Sequence, residues 1–163
     1  MLRTVLLATA VSACLGASAM AQALPTPDFI RAAAQTDQYE RKAGHMAEST
    51  GASANVRKFG REMVAAHAKT TAALKAAIRK AHMRVPPPPP LTAEQDSNLS
   101  TLKGMHGAAF DHAYIAQQIA AHEAALGVMQ AYAGGGDNRV LRKAAADTVP
   151  IVTHHLAMAQ MLR

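Results

Sequence analysis

The run Val85-Pro86-Pro87-Pro88-Pro89-Pro90 sits near the middle of the chain and forbids a continuous helix through that point. Proline lacks the backbone donor and restricts the residue before it, so a helix arriving from the N-terminal side must stop there. The sequence on either side is alanine-rich, with only 4% aromatic residues, which favours helix. Weaker breakers divide each half again. "TPDF" offers Thr26 as N-cap and Pro27 as first helical residue, "STGAS" at 49–53 makes a turn, and "TAEQ" at 92–95 is a capping box. Gly104 and Gly107 fall where the short helix after the prolines should stop or bend, and "GGGD" ends another helix and caps the last with Asp137. The predicted helices span about 27–49, 53–83, a short 93–103, 107–133 and 137–162.

The proline run also bears on topology. Polyproline II rises about 3.1 Å per residue and a helix about 1.5 Å, so the link between the second and third long helices can span roughly 30 to 40 Å. An up-down-up-down bundle needs only a short hairpin there. The predicted fold is therefore all-α, a ferritin-like four-helix bundle with a Pro-rich long crossover between helices 2 and 3.

The N-terminal residues are set apart from this fold. "MLRTVLLATAVSACLGASAMAQA" carries one basic residue, Arg3, then an apolar run and Ala19-Met20-Ala21 in the pattern of a signal-peptidase site. Residues 1–21 are expected to be a cleaved signal peptide and 22–163 a single domain in the periplasm. A competing reading takes "VSAC" as a lipobox with Cys14 lipidated. Cys14 is the only cysteine, so the cleaved chain has no disulfide, thiolate site or cysteine nucleophile. Cleavage lowers the formal charge from +6 to +5, and the remaining bases are spread over the first two helices as a solvated face. No nucleic-acid partner is expected of an exported protein. Weak contact with anionic lipid headgroups or an envelope protein remains open, and no later segment reaches the roughly 20 apolar residues of a membrane span.

Seven-residue spacing locates the seams. The last helix aligns Leu141, Thr148, His155 and Leu162, with Ala144, Ile151 and Met158 as companion row; this puts His155 inside and turns His154 about 100° away. The second helix aligns Gly60, His67, Leu74 and Ala81 beside Met63, Thr70 and Ala77. The third long helix aligns Ala108, Ile115, His122 and Met129 beside Asp111, Gln118 and Ala125. In the first, the seam reads Phe29, Ala33, Thr36, Glu40, Ala43 and Ala47. Counted from the turns, Glu40, His67 and His122 fall within roughly 10 Å along the axis, and His155 within about 15 Å of the furthest. Asp111 and Tyr114, with Gln118, form a second polar layer towards one end.

Imidazole and carboxylate together suit zinc, iron, manganese or copper, and a buried ionised Glu40 needs a partner. Glu40, His67, His122 and His155 are thus a candidate mid-bundle site for a divalent metal. The alternative is a metal-free envelope stress or interaction module whose histidines fix helix register by hydrogen bonding. No Glu-x-x-His pair occurs, which disfavours a carboxylate di-iron oxidase, and no His-Glu-x-x-His, phosphate-binding glycine loop or serine elbow supports another enzyme. His45-Met46, His82-Met83, Met105-His106, Met158 and Met161 raise copper handling, although Met63, Met129 and Met158 occupy apolar rows where methionine is ordinary filler.

Four stretches taken in order resemble the bacterial envelope family known as domain of unknown function 4142, over about residues 28 to 162. They are Glu40 with Gly44, "FGREMVAAH", "GAAFDHAYIAQQIAAHEAAL" and "VPIVTHHLAMA". The resemblance implies a ferritin-like helical bundle and marks Glu40, His67, Phe110, Asp111, Tyr114, His122, Pro150 and His155; it supplies no biochemical activity. Gly107 opens the third stretch, and Pro150 is expected to bend the last helix one turn before His155. This chain departs from the family at Ala66 and Ala121, where an acidic residue is expected before each histidine.

Overall fold

Capping residues set the helix limits in the computed structural model, which describes residues 22–162. The expected signal peptide with Cys14, and Arg163, lie outside the described residues. Among those described the chain is all-α, a helical bundle of α1 (Thr26–Thr50), α2 (Ala54–Lys80), α3 (Ala93–Lys103), α4 (Gly107–Gly135) and α5 (Arg139–Met161). Thr92 and Gln95 close the capping box of α3 reciprocally, and Ser53 caps α2 through Asn55 N.

Three expected ends move, each for a local reason. Thr26 is the first residue of α1 and not its cap; its hydroxyl is held by Tyr132 and Asp137. Asp137 is thereby drawn away from capping α5, and Asn138 does so by accepting from Val140 N and Leu141 N. α2 stops at Lys80 and not near Met83 because His82 adopts φ 58°, letting Met83 N bond back to Ile78 O at 3.1 Å. Gly107 opens α4 at φ 62°, a left-handed value that favours glycine.

α1 packs most extensively on α2, and α4 on α5, while α1–α4 and α2–α5 contacts join the two pairs. Near the start of α4, Asp111 accepts from Ala52 N and Ser53 N in the α1–α2 turn at 2.9 and 2.7 Å. Near its end, Tyr132 meets Thr26 at the start of α1. α4 therefore runs antiparallel to α1 and in the direction of α2. Gln35 and Gln38 of α1 donate to the carbonyls of Pro90 and Pro89, which holds the proline run against α1.

The α1–α2 seam is closed by glycine. A Cβ on Gly44 would lie 2.7 Å from Gly60 O, and one on Gly60 would lie 2.6 Å from Gly44 O, so the two backbones touch where no side chain fits. The core itself is divided. One apolar cluster holds Tyr39, Phe59, Met63, Phe110 and Tyr114; the other holds Phe29, Ile78, Tyr132, Leu141 and Val152. On α2, α4 and α5 the passage from one cluster to the other is marked by His67, His122 and His155, and on α1 by Asp37.

α5 corrects one expected seam. Leu141, Ala145, Val152, His155 and Ala159 are buried, whereas Ile151 of the expected companion row is 41% exposed and Ala144 and Met158 only half-buried. Ala108 is likewise exposed at the start of α4. Pro150 lies inside α5 on its exposed side, and the helix continues through it to Met161. No helix among the described residues is long and apolar enough to cross a membrane.

Candidate metal centre

The histidine of each seam reaches the same point. Ring centroids of His67 and His122 are 5.8 Å apart, and each lies 5.6 Å from that of His155. One nitrogen from each ring can be chosen so that all three lie within 4.8 Å of one another. His154, the neighbour of His155, is exposed. Glu40 is fully buried beside the triad, with Oε1 4.0 Å from His122 Nδ1.

Hydrogen bonds decide which nitrogens carry protons. His122 Nδ1 is 2.8 Å from the carbonyl of Gln118, an acceptor only, so the ring donates there and Nε2 keeps its lone pair. His67 Nδ1 is 2.9 Å from Asp37 Oδ1, so the ring donates there and leaves its Nε2 without a hydrogen-bond partner on the other side. Asp37 is held in turn, since the hydroxyls of Thr70 and Thr71 reach its two oxygens at 2.6 and 2.9 Å. A carboxylate behind an imidazole fixes tautomer and orientation. Asp37 thus stands behind His67 from α1, one turn before Glu40.

Burial sets the charge state. It lowers the His122 pKa, an effect Glu40 partly offsets. It brings His155 down to about 3, with the neighbouring His67, His122 and His154 acting in the same direction. Both rings are neutral bases at ordinary pH. Tyr114 is pushed up by burial first and by Glu40 second, so its phenol keeps its proton.

Buried side-chain nitrogen and oxygen atoms without a hydrogen-bond partner collect in this region: both oxygens of Glu40, Nε2 of His67 and His122, Nδ1 of His155, the Tyr114 hydroxyl and the Gln118 amide. No side chain among the described residues pairs them, and each such atom costs roughly 1 to 3 kcal/mol when left alone. The expected second polar layer divides. Asp111 belongs to the end of the bundle, where it holds the α1–α2 turn, whereas Tyr114 and Gln118 carry unpaired polar atoms in the buried core. Asp37 was not among the expected site residues. Its signal was an acid three residues before Glu40 facing the Thr70-Thr71 pair, which single-helix periodicity does not connect.

The triad is open on one side. A cavity of about 910 Å³ lies between α2 and α5, and His67, His122 and His155 line it together with Asp37 and Glu40. Among the described residues the methionines assemble no comparable set: Met46, Met105 and Met158 pack against one apolar cluster and Met83 against the other, while Met161 is exposed.

No curated protein and no solved structure matches the chain. A family model described as "Domain of unknown function (DUF4142)" matches residues 12–162, nearly the whole sequence, and the chain belongs to that family.

Proposed function

We propose that this protein is a metal-binding helical bundle of the bacterial periplasm, exported by a signal peptide at residues 1–21, and that it holds one divalent transition metal between His67, His122 and His155 without catalysing a reaction. The observation that carries this reading is the convergence of three buried imidazoles, each with one ring nitrogen that lies within 4.8 Å of those of the other two. Tetrahedral coordination at bonds of about 2.0 to 2.1 Å separates donor atoms by roughly 3.4 Å, a contraction that small ring rotations supply. Glu40 stands next to the triad, where its carboxylate neutralises part of the ion's charge or takes a fourth position. Three nitrogens and a carboxylate suit zinc first, with iron, manganese and copper also compatible.

The fold proposed around this centre is a ferritin-like four-helix bundle of α1, α2, α4 and α5, with the prolines and α3 as crossover. The shared direction of α2 and α4 supports it, as does the anchoring of Pro89 and Pro90 along α1. The bundle fixes His67 through Asp37 and His122 through its own helix backbone. Such preorganisation is what a tight site needs.

Metal titration of tag-free protein tests the proposal. A metal bound only by the native state raises the melting temperature, so zinc at saturating concentration is expected to stabilise the wild type at one ion per chain. The His67→Ala/His122→Ala double variant is expected to lose both stoichiometry and shift. A folded wild type that binds no zinc, iron, manganese or copper would favour a metal-free envelope module instead.

A further inference from the structure

We propose that the groove between α2 and α5 binds a long-chain fatty acid, its acyl chain lying between the helices and its carboxylate at a basic end formed by Lys80 and Arg139. The cavity of about 910 Å³ falls within the range of small-molecule sites, roughly 300 to 1,000 Å³. Its walls are made of small apolar side chains. Ala73 and Ala76 come from α2 and Ala144 and Ile151 from α5, over a floor that includes Phe29 and Met129. Between Thr70 and Lys80 the α2 wall offers Ala73, Leu74, Ala76 and Ala77, an apolar strip that suits a hydrocarbon chain better than a polar ligand, while Thr148 and the Lys143–Asp147 pair are the polar groups lining α5 across from it. The lining residues of α2 run from Glu62 to Lys80, about 27 Å of helix.

Charge gives the occupant its direction. Lys80 and Arg139 both line the groove, and among the described residues neither has a carboxylate within 4.0 Å. Lys143 nearby is already engaged by Asp147 at 2.8 Å. Ile78 and Leu141, each two residues from one of these cations, belong to the same apolar cluster as Phe29 and Tyr132, which brings Lys80 and Arg139 to one end of the bundle. Two unneutralised cations at the mouth of an apolar groove complement an amphiphile with one acidic head. A second copy of this chain is disfavoured as occupant, because each carries a formal charge of +6, or +5 once residues 1–21 are removed, and brings the same basic end. His67 lies beyond Thr70 from the basic end, so the carboxylate's site at Lys80 and Arg139 does not depend on metal being bound.

Displacement of 12-(9-anthroyloxy)stearate by palmitate, both below their micellar concentrations, tests this with the purified tag-free protein. Expected is one saturable site per chain, with palmitate bound at least tenfold more tightly than hexadecanol. Lys80→Glu/Arg139→Glu should remove that preference. Ala76→Trp fills the groove from an exposed position, and Ala73→Leu does so with a smaller side chain; whichever retains the wild-type helical circular dichroism should weaken palmitate at least tenfold. Absence of saturable binding overturns the proposal, as does equal affinity for palmitate and hexadecanol or binding unchanged in the folded groove variant. A concentration-dependent dimer that palmitate leaves intact and Ala76→Trp disrupts would assign the groove to a second copy, which also overturns it.

Discussion

The two faces of α2 meet their neighbours in opposite ways. Towards α1 the backbones touch at Gly44 and Gly60, with room for no side chain. Towards α5 the same helix leaves a cavity of about 910 Å³ lined by alanine. Both faces use small residues, yet glycine lets two helices touch while alanine on the other face leaves the space before α5 unfilled. The closed seam places Asp37 against His67 and Glu40 beside the triad. The open seam exposes that triad to ligands. A rigid wall behind the histidines and an aperture in front of them are what a binding centre requires and what a uniformly packed bundle would lack.

Of the two seams, the closed one should respond more strongly to disturbance. In Gly60→Ala the added methyl would stand 2.6 Å from Gly44 O and 2.8 Å from Ala47 Cβ, both on a packed helix with little freedom to yield. The gain in helix propensity, below about 1 kcal/mol, does not offset overpacking of typically 1 to 3 kcal/mol or more. Urea denaturation should show a net loss of about 2 kcal/mol.

Uncoupling the seam from the site comes next. Asp37→Asn keeps the shape and removes the charge behind His67, a change that lowers metal affinity by roughly 10- to 100-fold where a carboxylate orients the ligand. Calorimetric titration with zinc should show that loss while the apo protein melts within a few degrees of the wild type. An unchanged affinity would detach Asp37 from the centre.

Acid should act on the triad itself. In metal-free protein the His155 pKa is about 3 against an ordinary 6.5, lowered by burial and then by its histidine neighbours. The unfolded chain therefore binds the extra proton first, and stability must fall as pH drops from 6.5 towards 3. His122, also lowered by burial, adds to the slope in the same direction. Thermal midpoints between pH 7 and 5 should decline, and less steeply in His155→Phe.

The smallest effect is expected on the open seam. Ile151 is 41% exposed on the groove wall, so Ile151→Ala should cost under about 1 kcal/mol, whereas Leu141→Ala in the buried row of the same helix should cost roughly 2 to 5 kcal/mol. Equal losses would mean that the groove is closed in solution.

This contrast also separates what the sequence disclosed from what it hid. Breakers and caps located every helix within a few residues, and seven-residue spacing brought His67, His122 and His155 to the interior and left His154 outside. Spacing gives the direction of a side chain from its own axis. It does not say whether a neighbouring helix is near, so Ile151 and Ala144 read as core although α5 stands away from α2 there. Asp37 was hidden for a related reason: its partners His67, Thr70 and Thr71 lie on another helix, 30, 33 and 34 positions away along the chain. Asp137 and Asn138 exchanged roles because a tertiary partner, Thr26, competed with local capping.

The most direct measurement is an anomalous difference map from a crystal of tag-free protein soaked in zinc and recorded at the zinc edge. The structure predicts one dominant peak between the three rings, with nitrogen ligands at about 2.0 to 2.1 Å from His67, His122 and His155. Peaks confined to surface histidines such as His45 or His106, with nothing between the buried three, would contradict a metal centre in this bundle.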